Sequence, residues 1–557
     1  MTAKPWLHNY PPAIPAEIDP DNYVSLKELV ESNLQRFADR PAFTTRGTTL
    51  SYADIDRLSL AFASYLQVDL GLARGERVAV MLPNLLQSPI VIFGILRAGL
   101  VVVDINPLYT ARELQHQLDD SGARAIVVME NFAHTVEAVL ADCAVRTVIV
   151  TRLGDHFPVL KRIVTNFAVK YLKKLVPAWQ IPAAVDYLWA LESGRRRPFE
   201  DRDISATDLA FLQYTGGTTG RAKGAMLTQR NMVSNVLQAA AWVKPYFGAA
   251  DGDVITALPL YHVFALTVNL FAFIELGASN ILITNPRDLE AFVSELATAR
   301  LAFITGVNTL FNALLKTPTF RELDFSALRV SLGGGMAVQR DVAERWQALT
   351  GVTIAQGYGL TETSPIVAAN ILNVKDFDGS VGMPLPSTEV KIVDDSGKEL
   401  AIEQKGEICV RGPQVMAGYW NRPKETAAAF LDDGWLLTGD IGHIDQQGRL
   451  YIEDRKKDLI IVSGFNVYPN EIEDVVTSHP RVTEAAAIGI SDEDSGEVVK
   501  IFVVRHDDTL TKQDLVDYCR QRLTGYKIPK AVEFVADLPK TNVGKVLRRA
   551  LKTAPPD

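Results

Sequence analysis

Cysteine is nearly absent from this chain: there are three in 557 residues, Cys143, Cys409 and Cys519, far apart in sequence. That spacing suits neither a disulfide framework nor a zinc site, and a reducing cytoplasm is the expected setting. Eight histidines, with no H-E-x-x-H pattern and no Cys/His clustering, argue against a transition-metal centre. Positive charge is not in excess either. The formal net charge of −9 supplies no global basic surface and speaks against nucleic acid as a main partner. The longest apolar stretches, "PIVIFGIL" before Arg97 and "VFALTVNLFAFI" around Asn269, fall short of the ~20 residues needed to span a bilayer. The N-terminus has no charged start followed by an apolar run, so no secretory signal is expected.

What is present is an ordinary globular composition, 47% hydrophobic and 22% charged, on a chain long enough for several modules. Short β-branched runs such as "RVAVML", "GLVVVDI", "TVIV", "AFITG" and "RVSLGG" alternate with helical patterns. Continuous apolar strands separated by helices predict parallel sheets covered on both faces, hence an α/β class. After Gly382 the texture changes to "TEVKIVDDSGKEL", "GEICVRG" and "GRLYIEDR", which predicts a smaller, mainly antiparallel β module. The charged knot "EDRKKD" then precedes a compact α+β unit of about 100 residues. The expected division is a large N-terminal part over 1–453, a hinge at 454–457 and a small mobile domain over 458–557.

The stretch "TGGTTGRAKG" from Thr215 to Gly224 reads as a loop built to hold phosphate. It is not a P-loop, because Lys223 lies three residues past Gly220 and precedes another glycine. Small residues at Gly216, Gly217 and Gly220 let the backbone approach an anion, while Thr215, Thr218 and Thr219 offer hydroxyls and Lys223 a charge. A flexible turn between two core elements is the competing reading.

Four further segments are "QGYGLTETSP" from Gln356, "DGWLLTGDIG" from Asp433, "DRKKDLIIVSGFNVYPNEIE" from Asp454 and "LPKTNVGKVLRR" from Leu538. With the opening loop they resemble the adenylate-forming superfamily of acyl-CoA synthetases, luciferases and peptide-synthetase adenylation domains, in order and over nearly the whole chain. The resemblance implies a two-step ligation in which a carboxylate attacks the α-phosphorus of ATP and a thiol then attacks the acyl-adenylate. It implies that Thr215 to Gly224 wrap the phosphates that leave, and that Gly333, Gly334 and Gly335 lie along the adenine. The same likeness sets the QGYG stretch (Gln356, Gly357, Tyr358 and Gly359) at the nucleotide, with Tyr358 against the adenine face. It puts Thr361 near the α-phosphate, Glu362 on Mg²⁺, and Asp440 with Arg455 on the ribose. Lys545 becomes the catalytic lysine, Lys457 the hinge, and the face bearing Gly464 and Phe465 replaces Lys545 when coenzyme A reacts. His262 in "LPLYHVFAL" is either a packed core residue or an aromatic wall beside the acyl carbonyl.

Nothing in that segment offers the acid that an amino-acid substrate requires. The segment "FPVLKRIVTNFAVKYLKKLVPAW" looks like an insertion of bacterial long-chain fatty-acyl-CoA synthetases. Its apolar residues recur at helical spacing opposite Lys161, Arg162, Lys170, Lys173 and Lys174, as in a basic amphipathic helix. Residues 157–176 are therefore either an anionic-membrane contact at the inner face of the cytoplasmic membrane or a docked helix with a solvated lysine face. The expected activity is long-chain fatty-acid–CoA ligation using ATP, Mg²⁺ and coenzyme A. A medium-chain or aryl-acid ligase, a fatty acyl-AMP ligase and a silent lipid-binding protein of the same fold are the alternatives, and oligomerisation is left open.

Overall fold

In the computed structural model, residues 4–215, 222–248, 251–463, 465–492, 495–541 and 545–552 are described. Two large sheets share one core. The seven-stranded sheet runs Val185–Asp186, Thr147–Thr151, Ala125–Met129, Arg77–Met81, Val101–Asp104, Leu209–Thr215, Lys223–Thr228, parallel except for its last pair. The nine-stranded sheet is parallel through its middle, including Leu301–Gly306, Val330–Gly334 and Ile354–Gly359, and antiparallel toward both edges.

The period of two along each strand explains the layering. In the first sheet Val78, Val80 and Val102 enter the shared core, while Ala79, Met81, Val101 and Val103 enter a separate cluster on the opposite face. In the second, Val254 and Phe303 enter the shared core and Ile255 and Ile304 the outer one. Both faces of each central strand are buried, which is why these runs are uninterruptedly apolar.

The change of texture after Gly382 is a four-stranded antiparallel sheet, Glu389–Val393, Gly406–Arg411, Leu436–Ile444 and Leu450–Arg455. Asp454 and Arg455 thus still belong to that sheet. The 3₁₀ turn Lys456–Asp458 follows, and the next strand, Ile460–Val462, already belongs to the five-stranded C-terminal sheet. Among the described residues no hydrophobic cluster spans that turn: the C-terminal clusters contain only residues from Ile460 onward. No described helix is long and apolar enough to cross a membrane.

The lead-in is more than an extended arm. Trp6 is buried against Gly448, Lys4 pairs with Glu389 at 2.7 Å, and Tyr10 donates to the Pro384 carbonyl. These contacts strap the small β sheet to the shared core.

Candidate active site

The C-terminal ends of parallel strands from both large sheets open into a cavity of about 1220 Å³, bordered also by the four-stranded sheet and by Lys540, Thr541 and residues from Lys545 to Lys552. Strand ends are where α/β sheets place ligands, because the chain there leaves the ladder and exposes backbone groups and loop side chains.

The expected phosphate loop springs from paired strands, with Thr215 opposite Lys223 in register and both lining the cavity. Gly216, Gly217, Thr218, Thr219 and Gly220 lie outside the described residues. The Lys223 ammonium stands 5.1 Å from the centre of the Tyr419 ring, and the Tyr419 hydroxyl donates to Glu362 Oε1 at 2.7 Å. Residues 416–420 make this meeting possible. Met416 N–H donates to the Glu362 carbonyl, Ala417 N–H to Met226, and Trp420 N–H to Gly224, each near 2.8–3.0 Å. Tyr419 was missed in the sequence because it lies 57 residues from Glu362 and in a segment with no reading of its own. Burial, and then the Glu362 charge, hold its phenol proton on, so it remains a donor.

Glu362 lines the cavity with its second oxygen unassigned to any hydrogen bond among the described residues. A hard carboxylate oxygen suits Mg²⁺, which dehydrates reluctantly and is commonly held by one or two carboxylates plus phosphate. No group of three or more His, Cys, Asp or Glu side chains able to cage a metal occurs among the described residues. The donor set therefore fits an ion that arrives with a nucleotide.

Three residues of the expected nucleotide site, Gln356, Gly333 and Asp440, do not line the cavity. Gln356 is buried and spends its amide on the Val338 N–H, at 3.0 Å, and the Ser380 carbonyl, at 2.9 Å. Gly333 lies behind the surface, where an added Cβ would stand 2.6 Å from Val338 Cγ2, so its small size serves strand packing. Gly334, Gly335, Gly357, Tyr358, Gly359 and Thr361 do line the cavity. Gly335 adopts φ +79°, a left-handed conformation that favours glycine.

Asp440 is buried behind Tyr358 and Arg455. It accepts from the Tyr358 hydroxyl at 2.7 Å, and the Arg455 Nε lies 2.6 Å from its other oxygen. Asp440 and Arg455 face each other in register across the antiparallel pair. The free pair of acceptors expected for a ribose diol is thus already engaged, and a diol would have to share or displace these donors. Arg455 itself lines the cavity.

Lys545 reaches this site from the C-terminal part. Its side chain borders the open cleft, yet its ammonium is desolvated there, and this, followed by the nearby Arg455, pulls its pKa down to about 8. His262 faces the same space. Burial, followed by the Lys545 charge, lowers its pKa to about 4, so the ring is neutral near pH 7. Its Nδ1 accepts from Phe264 N–H at 3.3 Å, which leaves Nε2–H as the donor on a cavity-lining residue. The packed-core reading of His262 is thereby set aside.

Three residues beyond Lys545, Arg548 sits in a charged cluster that no local motif announced. Arg548 lies 2.9 Å from Asp454 and 2.8 Å from Glu473, and donates to Asn470. Lys457 lines the cavity, while Phe465 is exposed and stacked on Tyr526 at 4.8 Å, outside it. Gly464 lies outside the described residues.

From His262 an apolar arm runs between the helix Gln229–Val243 and the strand Ile366–Ala369, lined by Ala239, Val243, Val268, Ala369, Leu372 and Leu385. Trp242 lines the same space. The indole N–H donates to the Asn370 carbonyl at 2.9 Å, and Tyr10 meets the ring edge-on at 5.3 Å. Asp104 lines the same cavity and accepts from Gln213 at 2.8 Å, and burial raises its pKa to about 8.

The chain matches the family model for AMP-binding enzymes over residues 30–420 and that for the AMP-binding enzyme C-terminal domain over 471–545. It is 56% identical over 549 residues to a long-chain-fatty-acid–CoA ligase of Escherichia coli O157:H7, covering 99% of this chain and 98% of that one. A Bacillus subtilis protein of the same name is 38% identical, with 99% and 98% covered. Among solved structures, ATP-bound MatB from Rhodopseudomonas palustris is similar with a TM-score of 0.79 at 30% identity, over 93% of this chain and 97% of that one. The chain belongs to the AMP-binding enzyme family.

Proposed function

We propose that this AMP-binding enzyme is a long-chain fatty-acid–CoA ligase, which joins the acid to ATP as an acyl-adenylate, releases pyrophosphate, and passes the acyl group to coenzyme A with release of AMP. The observation that carries the reading is the meeting, in one cavity, of an apolar lining with Lys545, His262 and Glu362. The full-length likeness to ligases of that name supports the same substrate class.

A fatty carboxylate, with a pKa near ~4.3 like that of Glu, is ionised at neutral pH and needs no general base. What the step needs is charge management. With its tail in the apolar arm, the carboxylate lies at the arm's mouth, where His262 Nε2–H donates to one oxygen and Lys545 neutralises charge between carboxylate and α-phosphate. Thr215, Lys223 and the loop between them receive the departing phosphates. Mg²⁺, when bound with the nucleotide, supplies compensation for phosphate charge, and Tyr419 holds Glu362 in position for it. For the second step the C-terminal part turns about Lys456–Asp458, with Lys457 at the pivot, withdrawing Lys545 and bringing the Gly464–Phe465 face to the cleft. Coenzyme A enters there. The acid itself partitions into membranes, and contact with an anionic bilayer through residues 157–176 belongs to the same reading.

The test is to follow pyrophosphate, AMP and thioester separately with acids of graded length. Thioester formation should depend on coenzyme A and increase from octanoate to palmitate in kcat/KM. Adenylate that accumulates without transfer to coenzyme A would sink the ligase reading.

A further inference from the structure

Among the described residues, fifteen large hydrophobic side chains are exposed, and eight of them lie between Val159 and Leu175, each 53–75% accessible. This segment is the helix Val159–Phe167 continued by the π-helical turn Ala168–Leu172, and neither contains a buried residue. An amphipathic helix that merely docks on a protein turns its apolar stripe inward and its charges outward. Here the arrangement is reversed. Lys161 donates to the Arg46 carbonyl and lies 4.9 Å from the centre of the Phe157 ring. Asn166 accepts from Gly154 N–H at 2.9 Å, and Lys170 pairs with the buried Glu130 at 2.8 Å. The polar side chains fasten the helix to the body, and the apolar stripe looks out.

We infer that this outward face, formed by Leu160, Ile163, Val164, Phe167, Tyr171 and Leu172, inserts into the interface of an anionic lipid bilayer. The inference rests on the ligase reading for its purpose, since a long-chain acid is delivered dissolved in lipid. It rests on the geometry for its mode, which is apolar insertion first and charge second. Arg162, Lys173 and Lys174 flank the face, and none of them pairs with a carboxylate among the described residues. On a chain of net charge −9 a cationic rim around an apolar face complements anionic headgroups. Against a second copy of itself the same face would bring cation against cation. The helix is fastened to the body, but through its polar side rather than with a wholly solvated lysine face, and the lysines do not act as one group: Lys161 and Lys170 are spent on the protein.

Sedimentation with phosphatidylglycerol-containing vesicles tests this without any turnover. The wild type should bind. Replacing three exposed residues together, Ile163→Ser, Phe167→Ser and Leu172→Ser, should lower partitioning at least tenfold at any salt concentration, with the melting temperature nearly retained because these side chains are exposed and the one ring contact, Phe167 with Tyr171 at 5.0 Å, lies within the same segment. Lys173→Gln with Lys174→Gln should lower it only a few-fold and flatten its salt dependence. Turnover of octanoate, which needs no membrane delivery, should be unchanged in both variants. Loss of thioester synthesis from every acid in the wild type would be a failure of the ligase reading and would leave the partitioning result standing. A wild type that ignores the vesicles, or that forms a dimer the serine variant dissociates, overturns the lipid assignment.

Discussion

The part of the chain before Lys456 and the part after Asp458 meet at one cavity but are held by different physics. Before the turn, strands are buried on both faces and a continuous apolar core joins two sheets. After it, the apolar clusters are self-contained. What crosses is polar: Arg548 to Asp454, Asn470 N–H to the Asp454 carboxylate at 2.7 Å, and the Asn470 amide to the Glu453 carbonyl at 3.0 Å. Apolar packing of that extent cannot be exchanged within a catalytic cycle, whereas a few hydrogen bonds and an ion pair can be remade with water or nucleotide. The first part is suited to hold ATP and the acyl chain, the second to deliver and withdraw one cation.

Removing that cation tests the comparison most directly. Lys545→Ala should lower acyl-adenylate formation by roughly 10²–10³-fold, the scale of one lost charge contact in a desolvated site, while supplied acyl-AMP is still converted to thioester. Equal loss in both half-reactions would mean that the lysine serves the fold. Titration gives the same residue a second signature. Its pKa of about 8 in the free protein is below the ordinary lysine value, so the ammonium is present below that pH and lost above it. The kcat/KM for adenylation should fall on the alkaline side with a midpoint near 8, and Lys545→Arg should move that limb upward or abolish it.

Arg548→Gln attacks the polar seam itself. It leaves the buried Asp454 and the half-buried Glu473 without their cation, a change worth about 3–5 kcal/mol where the pair is buried. Adenylation should drop about 30-fold or more, with a smaller effect on thioester formation from supplied acyl-AMP. If both steps are unaffected, the cluster does not hold the closed pose.

Within the holding part the expected effects are smaller. Tyr419→Phe removes one hydrogen bond to a charged group, worth about 1.5–3 kcal/mol. Its mark should be a roughly tenfold rise in the Mg²⁺ concentration needed for half-maximal adenylation, which a purely structural tyrosine would not produce. Trp242→Ala removes the largest side chain from the apolar lining. Each buried CH₂ is worth ~0.8 kcal/mol, about fourfold in kcat/KM, so preference should move toward acids longer by two or more carbons. An unchanged length profile would place the end of the acyl site elsewhere.

How much of this was legible in the sequence depended on whether a residue's meaning was local. The α/β class, the antiparallel module after Gly382 and the change at "EDRKKD" rest on periodicity, which neighbours along the chain determine; within the stretch expected as a hinge, Asp454 and Arg455 end a strand and Lys456–Asp458 form a 3₁₀ turn. The roles of Lys545, Glu362 and Asp440 were implied by likeness, because isolated carboxylates and lysines look the same wherever they stand. Tertiary structure decided the rest. Gln356 and Gly333 sit in the right motifs yet serve packing, and Asp440 reaches the site already engaged by Tyr358 and Arg455. Tyr419 and Trp242 were invisible, since their partners Glu362 and Asn370 lie far along the chain. For the helix 159–172 the sequence determined the amphipathic stripe but not its direction. Spacing specifies which side chains share a face, and only the positions of Arg46 and Glu130 decide which face the protein keeps.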